Sequence, residues 1–332
     1  ESFRAYLEAA GIQPVFYDEA VRTRDCEAAM AMTHATVDGK LLDALGPQIK
    51  LISNYGVGVN HIDLEECTRR GIPVGNTPDV LSDATADLAW ALLLACARRI
   101  PECDTLVRSP AFTEYQNMLL LGGDVAGKTL GVLGMGRIGR EVARRGIGFR
   151  MTTLYHNRSR QPKAVEREVN ARWAPLDELL ASSDFVVLTC PLTEDTVHLI
   201  DASALRRMKS SATLVNVARG GVVDQEALLA ALQANDGTGI HMAGLDVSTP
   251  EPLPRDHPLL SRPDVVWTPH RGSATAGTRK AMAELAIRNL MLGLDGKKLA
   301  ACCNGLGGEP FEATPAHEAA DTIDYDEEGD TL

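Results

Sequence analysis

No stretch of the 332-residue chain stays apolar long enough to cross a membrane. The longest apolar run, residues 88–97, is about half of the roughly 20 residues that a spanning helix needs, so it reads as a buried core helix. Basic runs are missing and aromatics make up only 5% of the chain, which leaves a nucleic-acid partner no electrostatic or stacking footprint. The cysteines (Cys26, Cys67, Cys96, Cys103, Cys190, Cys302 and Cys303) are scattered, odd in number and without paired metal-ligand spacing. Reduced thiols in a reducing compartment fit them better than a disulfide framework, and no metal site is expected. Internal repeats are absent too. The chain opens on Glu1 rather than Met, and residues 3–10 already read as a helix. The expectation is therefore a cytoplasmic protein, or an organellar one whose targeting peptide has been removed.

What is present is enough chain for two domains, each with its own core. The net charge of −12 is concentrated: nine acids lie in the last 28 residues, which hold no Lys or Arg. Residues 305–332, rich in Gly, Pro and acids without hydrophobic period, read as a disordered, solvated tail. From Gly127 onward, β-rich apolar runs at 129–133, 151–155, 184–189, 212–217, 241–247 and 265–268 alternate with helix-period segments. That is the pattern of a doubly wound α/β domain with a parallel sheet. Earlier strands near 14–17, 49–54 and 73–75 indicate a smaller α/β domain. Residues 83–99, rich in Ala and Leu with only Asp87 interrupting, predict a helix apolar on most sides, buried in part in the interface of a homodimer.

Gly134-Met135-Gly136-Arg137-Ile138-Gly139 matches G-x-G-x-x-G. Alone this is a weak signal, and its plain alternative is a glycine-rich turn. Here it follows an apolar strand and opens a helical run, the context that dinucleotide binding requires: Gly134 for the turn, Gly136 for approach of the pyrophosphate, Gly139 for helix packing. About twenty residues on, NAD sites carry an acid for the ribose hydroxyls. Instead the sequence has Asn157, Arg158, Ser159 and Arg160, with Lys163 close behind and no acid between Glu141 and Glu166. Cations there pair with a 2′-phosphate. NADPH is the expected cofactor and NADH the alternative.

Ligands of open α/β sheets bind beyond the carboxyl ends of the strands. Three charged residues fall there: Arg219 after 212–217, Glu251 between two prolines after 241–247, and His270 after 265–268. Each alone has an ordinary structural reading, as a surface Arg, a loop Glu or a hydrogen-bonded core His. Together, at one edge of one sheet, they supply a carboxylate clamp, a proton donor and a carboxylate that fixes the imidazole tautomer. His34, His61, His156, His198, His241, His257 and His317 lack that setting.

At these residues the chain resembles the D-specific 2-hydroxyacid dehydrogenase family, most closely its glyoxylate/hydroxypyruvate reductase branch. The resemblance covers about residues 47–304. It rests on Gly56-Val57-Gly58-Val59-Asn60-His61-Ile62-Asp63, Asn76-Thr77-Pro78-Asp79-Val80-Leu81, the glycine motif, Asn216-Val217-Ala218-Arg219-Gly220, Gly244-Leu245-Asp246-Val247, Pro250-Glu251-Pro252-Leu253-Pro254 and Pro269-His270-Arg271-Gly272-Ser273-Ala274-Thr275. It implies a Rossmann-type cofactor domain (81–272) inserted into a flavodoxin-like substrate domain (1–80, returning at 273–304), with a small 2-oxo acid bound in the cleft. It implies Arg219 as clamp and carbonyl polariser, His270 as proton donor and Glu251 as its partner. The backbone N–H groups of Val57 and Gly58 would hold the substrate carboxylate, with Ser273 and Tyr115 also at the substrate, Tyr115 in a neighbouring subunit. Asp246 would lie near the nicotinamide, and Thr85, Arg137, Ile138, Cys190, Pro191, Val217, Ala218 and Gly272 join the cofactor contacts.

The chain departs from that pattern in places. The family's first strand has no counterpart before Phe3, Arg271 replaces an aliphatic residue beside the histidine, Tyr115 stands where the reductase branch has Trp, and the acidic tail has no equivalent. The rival from another class is an NAD(H)-sensing binding protein of the corepressor type, which keeps the Arg, Glu and His but favours NAD(H). Within enzymes, the rival is a dehydrogenase for another 2-oxo acid.

Overall fold

The computed structural model describes residues 2–15, 18, 20, 24–32, 36–234 and 236–306. They fall into two compact units, one from the described parts of Glu1–Val80 and Lys280–Leu332, the other from Leu81–Arg279. Both are α/β with parallel sheets. No described helix is long and apolar enough to cross a membrane.

The first unit holds strands β1 (Ala28–Ala31), β2 (Leu51–Asn54) and β3 (Val74–Gly75), parallel and in that order. Side chains alternate across a strand, so Ile52 enters one core with Leu42, Cys67 and Val74, while Leu51 enters another with Ile287, Leu290 and Leu299. Short helices begin at aspartates that accept a backbone N–H: Asp38 from Leu41 before Gly39–Leu45, and Asp63 from Glu66 before Leu64–Arg69. A buried asparagine ties the returning segment to the sheet. Asn289 donates to Asn76 O (3.1 Å) and accepts from Ala301 N (3.0 Å), and a side chain on Gly75 would come within 2.7 Å of it.

The strand expected near 14–17 is not found: Pro14 and Val15 belong to no strand, and residues 16–17 lie outside the described set. The strand at Ala28–Ala31 escaped notice because Ala has low β-propensity and the segment shows no alternation.

The second unit is a seven-stranded parallel sheet. In chain order the strands are β4 (Thr129–Leu133), β5 (Thr152–His156), β6 (Ala171–Trp173), β7 (Phe185–Leu188), β8 (Thr213–Asn216), β9 (Met242–Leu245) and β10 (Val265–Trp267); in space the order is β10-β9-β8-β7-β4-β5-β6. The central strands β4, β7, β8 and β9 are buried on both faces, hence near-continuous apolar runs. Phe185 and Val187 enter one layer, Val186 and Leu188 the other. The chain winds outward from β4 through β5 to β6, then crosses to β7 on the other side of β4. That reversal opens a crevice at the carboxyl ends of β4 and β7, where such sheets bind ligands.

Helix Ser82–Ala97 packs one side within its own unit: Ala86, Ala89, Trp90, Leu92, Leu93 and Ala97 lie with Val132, Val142, Val187 and Val215. Trp90 stacks on Phe149 at 4.6 Å and donates to Val142 O. The sheet and helix Arg137–Gly148 cover that side, while Leu88, Leu94 and Ala95 are half-buried and Ala91 is exposed. Of the tail expected at 305–332, only Gly305 and Leu306 are among the described residues.

Candidate active site

The glycine turn follows directly from β4. Gly134 has φ 103°, and a Cβ there would lie 2.5 Å from Cys190 N; a Cβ on Gly139 would lie 2.1 Å from Gly134 O. Those two glycines are demanded by backbone packing. Gly136 is not: a Cβ on it would meet nothing within 4 Å. It opens helix Arg137–Gly148, and the clear space beside it fits a phosphate oxygen approaching the helix N-terminus. The turn is held from two sides. Thr189 Oγ1 donates to Gly134 O (2.7 Å), Met135 N donates to Asn157 Oδ1 (2.6 Å), and Gln161 Nε2 donates to Met135 O (3.0 Å). The side chain at the position of the missing acid therefore braces the phosphate turn.

Beyond Asn157 the cations divide. Arg160 grips Glu166 through Nε (2.7 Å) and Nη2 (3.0 Å), and Lys163 meets the same carboxylate at 2.8 Å. Tyr155 Oη adds a bond at 2.9 Å and itself accepts from Gln161 N. The expectation that Arg160 adds to the attraction for a 2′-phosphate is corrected: an acid just downstream has claimed it. Arg158 stands apart. Its side chain is 89% exposed, with Nη1 3.4 Å from Asp195 Oδ2, and Ser159 beside it is exposed.

The bonds from Arg160 and Lys163 hold the Glu166 carboxyl down from 4.5 to about 2. A carboxylate with a depressed folded-state pKa stabilises the fold above its unfolded pKa and loses that contribution as pH falls toward the folded value. Glu166→Gln is thus expected to be less stable than the parent at pH 7, with the gap closing between about pH 4.5 and pH 2. Urea midpoints of both proteins across that range check it; a gap that stays constant with pH contradicts the ion-pair account.

Arg219, Glu251 and His270 lie after β8, β9 and β10. Asn216, 1% exposed, closes the turn that carries Arg219 by donating to Arg219 O (2.9 Å) and accepting from Ala218 N (3.0 Å). Gly220 lets this turn press on the next loop, since a Cβ would lie 2.1 Å from Ser248 C. Arg219 Nη1 donates to Ala218 O. Burial lowers its pKa and the Glu251 charge opposes that shift; a guanidinium stays charged regardless.

His270 Nδ1 lies 2.6 Å from Glu251 Oε1, both side chains about a quarter exposed. The histidine backbone sits at φ 53°, a conformation that costs energy in a non-glycine residue and must be held. Asp246 holds it. This 2%-exposed carboxylate accepts from Thr268 Oγ1 (2.6 Å), Arg271 N (2.6 Å) and Gly272 N (2.8 Å), while His270 N donates to Asp246 O (2.8 Å). Burial raises the Asp246 pKa against those bonds.

The remaining expected residues have the following settings. Thr85 is buried, with its hydroxyl on Leu81 O, and Gly272 leaves room beside it. Cys190 is buried, its thiol pushed to about 11 by desolvation. Val217 and Ala218 are buried after β8, Ile138 and Ser273 are half-buried, and Arg137 and Pro191 are exposed.

In the first unit, Asn54 Nδ2 donates to Gly56 O (2.9 Å) and Gly58 O (3.0 Å), and Asn76 Nδ2 donates to Val57 O (3.0 Å). In a trans peptide the C=O and the following N–H point opposite ways. Fixing the carbonyls of Gly56 and Val57 therefore turns the N–H groups of Val57 and Gly58 away from those asparagines. Tyr115 is 84% exposed, amid exposed Ile100, Val107, Phe112, Met118, Leu119 and Leu121. Sequence reasoning missed Asn216, Thr268 and Glu166 as supports of the site. Only Asn216, a polar residue ending an apolar strand, carried a local signal.

Comparison with known proteins agrees with this geometry. Residues 90–272 match the family described as D-isomer specific 2-hydroxyacid dehydrogenase, NAD binding domain. The chain is 48% identical to a glyoxylate reductase of Thermococcus onnurineus over 274 residues, covering 81% of this chain and 80% of that one. It is 41% identical to the glyoxylate reductase/hydroxypyruvate reductase of Mus musculus, covering 85% and 87%. Among solved structures, an NADPH-dependent glyoxylate/hydroxypyruvate reductase of Sinorhizobium meliloti, in complex with NADP and malonate, superimposes with a TM-score of 0.78 at 32% identity, covering 88% of each chain. The chain belongs to the D-isomer specific 2-hydroxyacid dehydrogenase family, on its glyoxylate reductase branch, and uses a nicotinamide cofactor.

Proposed function

We propose that the enzyme reduces glyoxylate and hydroxypyruvate to glycolate and D-glycerate with NADPH. The observation that carries the reading is the 2.6 Å His270–Glu251 pair together with half-buried Arg219, all three following consecutive strands at one sheet edge. When bound, the reduced dinucleotide supplies the hydride. Arg219 pairs with the carboxylate of the 2-oxo acid and polarises its carbonyl. With Nδ1–H directed at Glu251, His270 presents Nε2 to the substrate; it gives the Nε2 proton to the carbonyl oxygen and remains as the Nδ1–H tautomer that Glu251 stabilises. The N–H groups of Val57 and Gly58 are the proposed carboxylate donors, with Ser273 and Tyr115 beside the substrate. The residues around the glycine turn, with Thr85, Val217, Ala218, Asp246 and Gly272, are proposed to hold the dinucleotide. In this reading residues 81–272 form the cofactor domain and 1–80 with 273–304 the substrate domain. Steady-state oxidation of NADPH and NADH with glyoxylate, hydroxypyruvate and pyruvate tests it: pyruvate as the best substrate would overturn the substrate assignment.

NADPH is favoured because the acid that would repel a 2′-phosphate is absent at Asn157 and Arg158 is exposed beside it. A charge-assisted hydrogen bond contributes about 1.5–3 kcal/mol, so Arg158→Ala is expected to weaken NADPH about ten- to a hundredfold and to leave NADH nearly unchanged. Titration of both cofactors checks it; equal losses would mean that Arg158 serves the fold.

The exposed apolar side chains between Ile100 and Leu121 support a homodimer, since contiguous apolar patches mark contact sites. Light scattering at micromolar concentration is expected to give twice the chain mass. A monomer would remove any reach of Tyr115 into a second subunit.

A further inference from the structure

Arg158 follows β5 and Asp195 follows β7, and these two strands flank β4 on opposite sides. Their 3.4 Å ion pair therefore bridges the carboxyl end of β4, where the glycine turn begins. The backbone that carries Asp195 is held in place. It sits in a short 3-10 turn, Glu194–Thr196, closed by a reciprocal Thr193–Thr196 cap, and Thr196 Oγ1 donates to Pro191 O at 2.7 Å. We propose that Asp195 is a specificity-determining residue: the counter-ion of Arg158, which a 2′-phosphate must displace and whose charge restrains the preference for NADPH. This rests on the reading of Arg158 as the 2′-phosphate partner.

The physical case is a competition for one guanidinium. Both side chains are largely exposed, 89% for Arg158 and 75% for Asp195, and an exposed pair of this kind holds weakly. A phosphate monoester carries close to two negative charges at neutral pH, so it wins the guanidinium but meets the displaced carboxylate beside it. NADH offers only hydroxyls there and leaves the pair intact. The restraint thus falls on NADPH alone, and it is small because water screens it.

Binding of NADP, NAD and 2′,5′-ADP, measured by isothermal titration calorimetry on the full chain, tests the idea without reference to turnover. Asp195→Asn is expected to tighten NADP and 2′,5′-ADP about two- to fivefold while NAD is unchanged, and the gain is expected to shrink when Arg158→Ala is also present. Three results overturn the proposal. If Arg158→Ala selectively weakens NADP but Asp195→Asn changes nothing, Asp195 is a bystander and the NADPH reading survives. If Asp195→Asn tightens NAD as much as NADP, its charge acts on the whole site rather than on the 2′-phosphate. If Arg158→Ala affects NADP and NAD alike, the underlying reading of Arg158 fails and the counter-ion role fails with it.

Discussion

Replacing His270 with alanine is expected to cut turnover about a hundred- to ten-thousandfold, the usual worth of a positioned general acid, while the affinity for dinucleotide stays near that of the parent. The two effects separate because the glycine turn, which binds the pyrophosphate, is supported apart from His270. His270 follows β10 and is held by Asp246 and Glu251, which follow β9, whereas the glycine turn follows β4 and is held by Asn157, Gln161 and Thr189. Single-turnover rates with glyoxylate and a cofactor titration on the same variant give both numbers. A variant with ordinary turnover would make His270 a structural residue. Glu251→Gln provides the graded companion: the amide keeps a hydrogen-bond acceptor at Nδ1 but replaces a charged partner of the ring with a neutral one. Its loss is expected to be smaller than that of His270→Ala in the same single-turnover measurement.

How much of this was legible beforehand follows from the range of each interaction. β4 and the glycine turn are local: a buried parallel strand is an apolar run, and the turn needs glycines at fixed offsets. The positions of Arg219, Glu251 and His270 at one sheet edge follow from counting strands, because parallel strands all end on the same side. What could not be read is the choice of partners across long sequence gaps. Asn157 stands where an acid is usual, and its engagement with Met135 depends on how β5 registers beside β4. Glu166 pairs with Arg160 and Lys163 and leaves Arg158 aside, although the sequence displays the three cations alike. Asp195 meets Arg158 only because β5 and β7 both flank β4. Helix Ser82–Ala97 shows a related limit: apolar surface on most sides is compatible with cover by its own sheet as well as with an interface, and composition does not distinguish them.

Arg219 carries the other large expected effect. Its turn is over-determined: Asn216 closes it, Gly220 packs it against Ser248, and Nη1 is anchored on Ala218 O. Such anchoring holds the rest of the guanidinium fork in one orientation, which matters because a carboxylate is best met by two parallel N–H groups. Removing one member of a desolvated, hydrogen-bonded charge pair costs about 2–5 kcal/mol, so Arg219→Met is expected to lower kcat/KM for glyoxylate about thirtyfold to several thousandfold. The split between constants reports the role. A pure clamp would raise KM and leave kcat alone, whereas an arginine that also polarises the carbonyl lowers kcat as well; the expected result is a loss in both. Arg219→Lys keeps the charge without the fork and is expected to fall between the parent and Arg219→Met, recovering kcat more than KM. Inhibition by oxamate, a 2-oxo acid mimic that cannot be reduced, isolates the clamp, since any weakening there reflects binding alone. Ordinary oxamate affinity in Arg219→Met would show that the substrate carboxylate is held elsewhere, leaving Arg219 only the carbonyl.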